Sequence, residues 1–337
     1  MRGSDSSRVR KVMGLSSLEL CAGAGGQAIG LEVAGYGHEG VVEIDRDCCN
    51  TLRLNRPDWN VVEGDMKKLK GAPFKGIDLF AAGLPCPPFP IAGKQLGEKD
   101  ERNLFPAALR LIDETRPRAI MIENVRGFLE AGFLDYREKL RDRLYKMGYL
   151  AAWRILNAPD FGVPQLRPRV IIVALQRNIW DRFDWPQVLT QNPITVGQAL
   201  YPMMAARGWI GAEKWRDYAD DIAPTIVGGS KKHGGPDLGP TRAKRAWASL
   251  GVDGMGIADM APGPDAPRDH IPRLTVPMVA KLQGFPDDWK ISGRKTAAYR
   301  QIGNAFPPPV AQAVALKIKA ALTTKHVFRV VTNTKVA

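Results

Sequence analysis

The sequence has few cysteines, few histidines and no long apolar segment. Its 337 residues include four histidines and four cysteines, namely Cys21, Cys48, Cys49 and Cys86. These cysteines show neither a disulfide framework nor the paired spacing of a zinc site, which favours a reducing cytoplasm and predicts no metal. No apolar run approaches the roughly 20 residues of a membrane span, and residues 1–7 are too polar for a signal peptide. A cytoplasmic protein with no membrane partner is therefore expected.

Acidic residues are also in deficit. The chain has 48 Lys and Arg against 35 Asp and Glu, a formal net charge of +13. A polyanion such as a nucleic acid is the partner that this charge favours, although a basic surface can also serve solubility alone. The length suffices for one large domain or two.

Short apolar segments alternate with amphipathic helical patterns along the first half of the chain. The segments that we predict to be strands are 15–20, 41–45, 61–65, 77–82, 119–122, 149–156 and 170–175. Such alternation is typical of an α/β fold with a largely parallel sheet. The last two segments are expected to form its antiparallel end.

A glycine-rich turn, 21–26 (CAGAGG), follows the first predicted strand and precedes a helix. Glycines there let a ligand approach the backbone closely, and the spacing differs from the dinucleotide pattern. The next predicted strand, 41–45, ends in acid, and a carboxylate there could accept both hydroxyls of a ribose. Asp65, after the third strand, could bind an adenine amino group or cap its own turn.

Cys86 lies in a proline-rich loop directly after the predicted strand 77–82. Prolines stiffen the loop, and a thiol at the carboxyl edge of a sheet suits a nucleophile, although a lone cysteine is more often a structural residue. Glu123 follows another strand at the same edge and is a candidate acid or a simple cap. Arg167 and Arg169 stand at alternate positions, so they could clamp a phosphate or a base carbonyl, or form a solvated pair.

Residues 178–270 have little periodicity and contain two basic, loop-like segments, 228–235 and 241–245. Glycine-spaced cations of this kind can follow a duplex groove, or can be solvated surface.

Six motifs together resemble the DNA (cytosine-5)-methyltransferases, above all those of bacterial restriction–modification systems. In chain order they are 20–26 (LCAGAGG), Pro85-Cys86, Glu123-Asn124-Val125, Gln165-x-Arg167-x-Arg169, Arg273-Leu274-Thr275 with Gln283-Gly284-Phe285-Pro286, and Gln301-x-Gly303-Asn304. The resemblance covers about residues 15–322. It implies a Rossmann-like S-adenosylmethionine-dependent methyltransferase sheet, built from 14–185 and 295–325. It further implies a smaller irregular target-recognition domain over 186–294, with flexible ends at 1–13 and 326–337.

The resemblance also assigns the chemistry. It implies methyl transfer from S-adenosylmethionine, leaving S-adenosylhomocysteine, to C5 of a flipped-out cytosine in a short duplex DNA sequence. Cys86 would form a covalent adduct with C6, and Glu123 would contact N3 and the exocyclic amine. Arg169 would hold O2, and Arg167 would hold the adjacent phosphate or the active-site loop.

Two further sets follow from the same resemblance. The predicted cofactor-binding residues are Cys21, Ala22, Gly23, Gly25, Gly26, Glu43, Asp65, Leu104 and Asn304. The predicted DNA-binding residues are Lys94, Gln95, Thr225, Lys231, Lys232, Arg242, Lys244 and Arg245. Lys94 and Gln95 lie in 91–102, which resembles the mobile active-site loop of the family.

The sequence departs from the family pattern at a few positions, and other readings stay open. Cys21 stands where many members carry an aromatic residue, and Pro87 stands where glutamine is common. The alternatives are an RNA cytosine-5 methyltransferase, a catalytically inactive DNA-binding homologue and, least favoured, a nucleotide-dependent dehydrogenase. The protein is expected to be a monomer near the bacterial nucleoid. A cognate restriction endonuclease would recognise the same DNA sequence as this protein but would not bind the protein itself.

Overall fold

The computed structural model describes residues 14–85, 103–190, 192–229 and 235–324. Several predicted functional residues lie outside these ranges: Cys86, Lys94, Gln95, Lys231 and Lys232. The predicted active-site loop 91–102 and the predicted flexible ends lie outside them as well.

Seven strands form one sheet. They are β1 (Leu15–Leu20), β2 (Tyr36–Glu43), β3 (Val61–Glu63), β4 (Leu79–Gly83), β5 (Ala119–Val125), β6 (Tyr149–Asn157) and β7 (Pro168–Gln176). The spatial order is β3-β2-β1-β4-β5-β7-β6, and the first five strands are parallel. β7 runs antiparallel to β5 and to β6, as predicted.

The sheet owes its order to continuous apolar runs. The interiors of β4 and β5 are fully buried, which is typical of parallel strands covered on both faces. β2 begins at Tyr36 rather than at residue 41, because its polar first half pairs with β1. Sequence periodicity alone does not detect such a segment, since pairing rather than burial makes it a strand.

Ten α-helices accompany the sheet in the described part of the chain. They are α1 (Gly26–Val33), α2 (Arg46–Asn55), α3 (Phe105–Thr115), α4 (Leu134–Lys146), α5 (Val196–Ala205), α6 (Ala212–Tyr218), α7 (Thr241–Ala248), α8 (Val276–Leu282), α9 (Lys295–Asn304) and α10 (Pro308–Thr323). The motif Gln301-x-Gly303-Asn304 therefore forms the end of a helix. The alternation of strands and helices confirms the predicted α/β, Rossmann-like class.

The region predicted to recognise DNA contains α5 to α8. In its described part, 186–190, 192–229 and 235–294, the extended backbone contributes only isolated bridges, such as Gln165 with Ala223 and Ala258 with Thr275. Tryptophans fill its core, among them the buried Trp209, Trp215 and Trp247. That core continues without a break into Leu52 and the glycine turn, so the domain boundaries stay a prediction.

Candidate active site

The glycine turn lies where β1 passes into α1, at the carboxyl edge of the sheet. Gly25 caps α1 with φ of 89°, a left-handed conformation that favours glycine. A Cβ atom on Gly26 would lie 2.2 Å from the carbonyl oxygen of Phe306. The glycines thus serve a tight turn and a close approach between the two ends of the fold.

Glu43 organises this edge through three backbone amides. Its carboxylate accepts hydrogen bonds from the N–H of Gly23, Ile44 and Asp45, each at 2.8 Å. The bonds tie the turn after β1 to the turn after β2. A buried carboxylate held in this way has a fixed orientation, which a ligand can use without further ordering.

A cavity of about 230 Å³ opens beside Glu43. Its lining residues are Cys21, Ala22, Gly23, Gln27, Glu43, Asp45, Cys48, Gly83, Glu123, Arg300, Gln301, Asn304, Ala305 and Phe306. The side-chain amide of Gln27 is buried, and neither its nitrogen nor its oxygen has a hydrogen-bond partner. An unpartnered buried amide in a cavity wall fits a site that receives a polar ligand.

Five of the nine predicted cofactor residues line this cavity and four do not. Gly25 packs on Leu52, and Gly26 packs on Phe306. The Asp65 carboxylate accepts the backbone N–H of Lys67, so the capping role that the sequence left open is present. Leu104 precedes α3 and packs on the apolar core.

Sequence reasoning missed several residues of the wall. Gln27, Asp45, Cys48, Arg300, Gln301 and Phe306 were not predicted to line it. Gln27 follows the glycine pair directly, and Asp45 follows Glu43 by two residues, so proximity to a motif was the available signal. Arg300 likewise lies directly before the motif Gln301-x-Gly303-Asn304, whereas no comparable signal marks Cys48, because folding alone brings α2 to the cavity.

Glu123, which lines the cavity, forms a nearly buried ion pair with Arg169. The Nε atom of Arg169 lies 2.6 Å from Oε1 of Glu123, and each side chain is 11% exposed. Burial raises the pKa of the Glu123 carboxyl, although the charges of Arg169 and Arg167 oppose that shift. Burial therefore favours the protonated form of this carboxyl more than in an exposed glutamate.

The backbone that leads to Cys86 passes beside this pair. A Cβ atom on Gly83 would lie 3.9 Å from Oε2 of Glu123. The Asn124 side chain donates a hydrogen bond of 3.1 Å to the carbonyl of Leu84. The residues just before Cys86 are therefore anchored to the strand that carries Glu123.

Arg167 does not reach a solvent-exposed phosphate site. Its side chain is 1% exposed, and its guanidinium donates to the backbone carbonyls of Ile226, Gly303 and Ala305. Alternation with Arg169 places both side chains on one face, but that face is covered at Arg167 by the recognition region. The predicted contact of Arg167 with a phosphate does not fit this arrangement.

The three described cysteines carry protonated thiols. Burial raises the pKa of Cys21 and of Cys48, with the charge of Glu43 adding to both shifts. Burial likewise raises the pKa of the Cys49 thiol to about 11. Since the thiolate is the nucleophilic form, these three are poor nucleophiles at neutral pH.

The predicted DNA contacts divide into exposed and internally bonded side chains. Arg242 and Arg245 are exposed on α7. Lys244 pairs with Asp237 at 2.9 Å, and the Thr225 hydroxyl donates to the carbonyl of Leu166. Arg242 and Arg245 are thus the described candidates best placed to meet a phosphate.

A buried acid beneath the glycine turn gives a pH-dependent contribution to stability. Burial raises the pKa of Glu19 on β1 well above its usual range; the backbone N–H of Ala28 opposes the shift and the charge of Glu43 adds to it. The folded state therefore holds a proton that the unfolded state releases, so stability falls as pH rises through the interval between the two pKa values. Between pH 5 and pH 8, the free energy of unfolding of Glu19→Gln is therefore expected to fall less than that of the parent. Thermal unfolding at several pH values measures this difference. Parallel curves for the two proteins would contradict this assignment.

No helix in the described part of the chain is long and apolar enough to cross a membrane. Nor do the described residues contain a group of three or more His, Cys, Asp or Glu side chains placed to hold a metal ion.

A parallel sheet with an antiparallel end and a ligand cavity at its carboxyl edge is the architecture of an α/β methyltransferase. The model of the C-5 cytosine-specific DNA methylase family matches residues 15–320. The chain therefore belongs to the C-5 cytosine-specific DNA methylases, which confirms the resemblance seen in the motifs.

Individual relatives agree with this assignment. The chain is 56% identical to the type II methyltransferase M.NaeI of Lentzea aerocolonigenes, over 91% of this chain and 75% of the relative. It is 51% identical to M.NgoMIV of Neisseria gonorrhoeae, over 93% of this chain and 100% of the relative. Among solved structures, the Entamoeba histolytica methyltransferase EhMeth superposes with a TM-score of 0.65 at 16% identity, covering 92% of this chain and 99% of that one. At such identity the likeness shows the fold alone.

Proposed function

We propose that this DNA cytosine-5 methyltransferase modifies a cytosine in a short specific duplex sequence, as the modification enzyme of a bacterial restriction–modification system. One observation carries the proposal. Glu123 lines the cavity and pairs with Arg169, and Gly83, three residues before Cys86, lies beside Glu123. This arrangement supports a cofactor site next to base-binding groups.

The cavity fits S-adenosylmethionine, whose sulfonium supplies an electrophilic methyl group when bound. Glu43 is fixed by three amides and lies where a ribose can bind. The unpartnered Gln27 amide and the backbone of Cys21 to Gly23 offer polar contacts. Asn304, which also lines the cavity, would hold the amino-acid end.

Covalent catalysis explains why the reaction needs a thiol. Cytosine C5 is a poor nucleophile while the ring is aromatic. Attack of the Cys86 thiolate on C6 forms a C–S bond and leaves C5 as an enamine carbon that can accept the methyl group. Loss of the C5 proton then expels the thiolate and restores the ring.

Glu123 and Arg169 would steady the pyrimidine during this sequence. The Glu123 carboxyl would share a proton with N3 and accept a hydrogen bond from the exocyclic amine, which its raised pKa favours. Arg169, with its side chain nearly buried, would donate to O2. The present ion pair between them would loosen when the base enters.

The target base must leave the duplex to reach these groups. Unstacking costs on the order of a few kcal/mol, which contacts in the pocket and in the groove must offset. The recognition region supplies exposed cations on α7, Arg242 and Arg245, for the second kind of contact. The length of this region and its two basic segments, 228–235 and 241–245, also favour duplex DNA over RNA.

The contribution of α7 can be measured through salt dependence. The logarithm of the DNA association constant is expected to fall linearly with the logarithm of the salt concentration. Replacing either Arg242 or Arg245 by alanine should remove one phosphate contact and so reduce the magnitude of that slope by about one. Arg141→Ala is the matched control, since Arg141 is exposed on α4 and pairs with Glu138. Equal slopes for the parent and both α7 variants would show that neither Arg242 nor Arg245 contacts a DNA phosphate.

The function itself is tested by methyl incorporation. Tritiated S-adenosylmethionine should label duplex DNA and not transfer RNA, and bisulfite sequencing of DNA from expressing cells should locate the modified cytosine. Labelling of transfer RNA in preference to DNA would favour the RNA-directed alternative. Normal DNA binding with no labelling would indicate an inactive homologue.

A further inference from the structure

Three buried polar side chains form a connected group between the sheet and the recognition region. This group, here called the polar hub, consists of Arg167, Gln165 and Gln283, which are 1%, 0% and 0% exposed. The Gln165 side-chain nitrogen donates to the Gln283 side-chain oxygen at 2.6 Å. Arg167 contacts the Gln165 oxygen at 3.4 Å. Such a group is costly to bury unless its partners are fixed, so its outward contacts are informative.

On one side the polar hub holds the recognition region. Arg167 donates to the carbonyl of Ile226 at 2.7 Å. The backbone N–H of Ile226 donates to the Gln165 side chain at 2.9 Å. Both backbone groups of Ile226 are therefore bonded to the hub.

On the other side the hub holds the end of α9. Arg167 donates to the carbonyls of Gly303 and Ala305 at 2.6 Å and 3.0 Å, and Gln283 also donates to Ala305. Ala305 and its neighbour Asn304 line the ligand cavity. One guanidinium thus joins a wall of the cofactor cavity to a segment of the recognition region.

The two segments also touch each other directly. A Cβ atom on Gly303 would lie 2.5 Å from the backbone nitrogen of Gly228, and one on Gly228 would lie 2.5 Å from Oδ1 of Asn304. The Asn304 side chain donates to the carbonyl of Gly229 at 3.2 Å. Only glycine allows this approach, so the position of 226–229 depends on the position of 303–305.

We propose that Arg167 is a positioning residue that couples cofactor binding to DNA binding. A cofactor that orders Asn304 and Ala305 also orders 226–229 through the hub, so DNA that binds next finds its recognition segment already in place. Ordering 226–229 costs conformational entropy only when the first ligand binds, so the second ligand binds more tightly. This is a favourable coupling between the two sites. The inference rests on the proposed function, because it takes the cavity as the cofactor site and 226–229 as part of the DNA-binding surface.

The test measures DNA affinity with and without saturating S-adenosylhomocysteine, on the full chain and on a duplex that it methylates. The ratio of the two dissociation constants gives the coupling, which is typically about 5–150-fold. Arg167→Lys keeps the charge but replaces the planar fork by a single ammonium, which cannot reach carbonyls on both sides. Its ratio should fall towards 1.

Two further variants separate coupling from general damage. Gly228→Ala keeps Arg167 but forces 226–229 away from Asn304, and it should lower the ratio as well. If Arg167→Lys does not fold, Gly228→Ala alone tests the coupling. Arg137→Lys is the matched control, because Arg137 is buried and donates to the carbonyls of Phe128 and Glu130, outside the hub. Its ratio should equal that of the parent.

A merely structural role for Arg167 would weaken DNA binding equally in both conditions and leave the ratio unchanged, which would overturn the proposal. A parent ratio of 1 would overturn it too. If that parent still methylates DNA, the proposed function stands and only the coupling fails. Absence of methylation by the parent would instead contradict the proposed function.

Discussion

Cys86→Ala is expected to reduce methyl transfer by at least about 10⁴-fold while DNA affinity stays within a few-fold of the parent. The alanine side chain cannot add to C6, so C5 never gains the electron density that it needs. DNA affinity survives because it depends on phosphate and groove contacts. Single-turnover methylation and titration of a labelled duplex measure the two quantities separately.

Two results would contradict this role for Cys86. The first is residual activity above about one-hundredth of the parent. The second comes from trapping: with a 5-fluorocytosine duplex and S-adenosylmethionine, the adduct should be found at Cys86 by mass spectrometry. Cys48→Ala is the control, since that thiol lines the cavity but burial raises its pKa, so its loss should not prevent the adduct.

Glu123→Gln is expected to lower the rate of the chemical step by roughly 10²–10⁴-fold, the range typical of a lost general acid or base. Glutamine keeps the size of the side chain but cannot share a proton with N3. It also leaves Arg169 without its carboxylate, so the variant alone does not separate the two effects.

A pH profile separates them. Because burial raises the pKa of Glu123, the protonated carboxyl persists to a higher pH than in an exposed glutamate, and the rate should fall as pH rises through that pKa. The ascending limb of the profile should report the Cys86 thiol. Glu123→Gln should lose the descending limb and keep the ascending one. A descending limb that survives in this variant would show that another group controls it.

Much of the sheet could be predicted from the sequence because apolar runs in parallel strands are continuous. β1, β4 and β5 lie within a few residues of their predicted positions. The site was accessible only through motifs, since Glu123 and Arg169 meet across neighbouring strands that are far apart in the chain.

The polar hub could not be predicted in the same way. Arg167 was expected to hold a phosphate or the active-site loop, and alternation with Arg169 gives the direction of its side chain but not what covers it. Its partners Ile226 and Gly303 lie 59 and 136 residues away, and they contribute backbone carbonyls, which no sequence pattern marks. Asp65 shows a related ambiguity. An aspartate directly after a strand can either cap its own turn or bind a ligand, and the sequence is the same in both cases; in the structure its carboxylate accepts the backbone N–H of Lys67.

The ligand cavity takes its walls from segments that are made far apart in time on the ribosome. The indole of Trp289 supports the glycine turn by donating to Ala24, 265 residues earlier, and Phe306 closes against Gly26. During synthesis the glycine turn therefore lacks its contacts with Trp289 and Phe306 until almost the whole described chain has been made. A chain that ends before Trp289 and Phe306 therefore lacks the contacts that complete the cavity around the glycine turn.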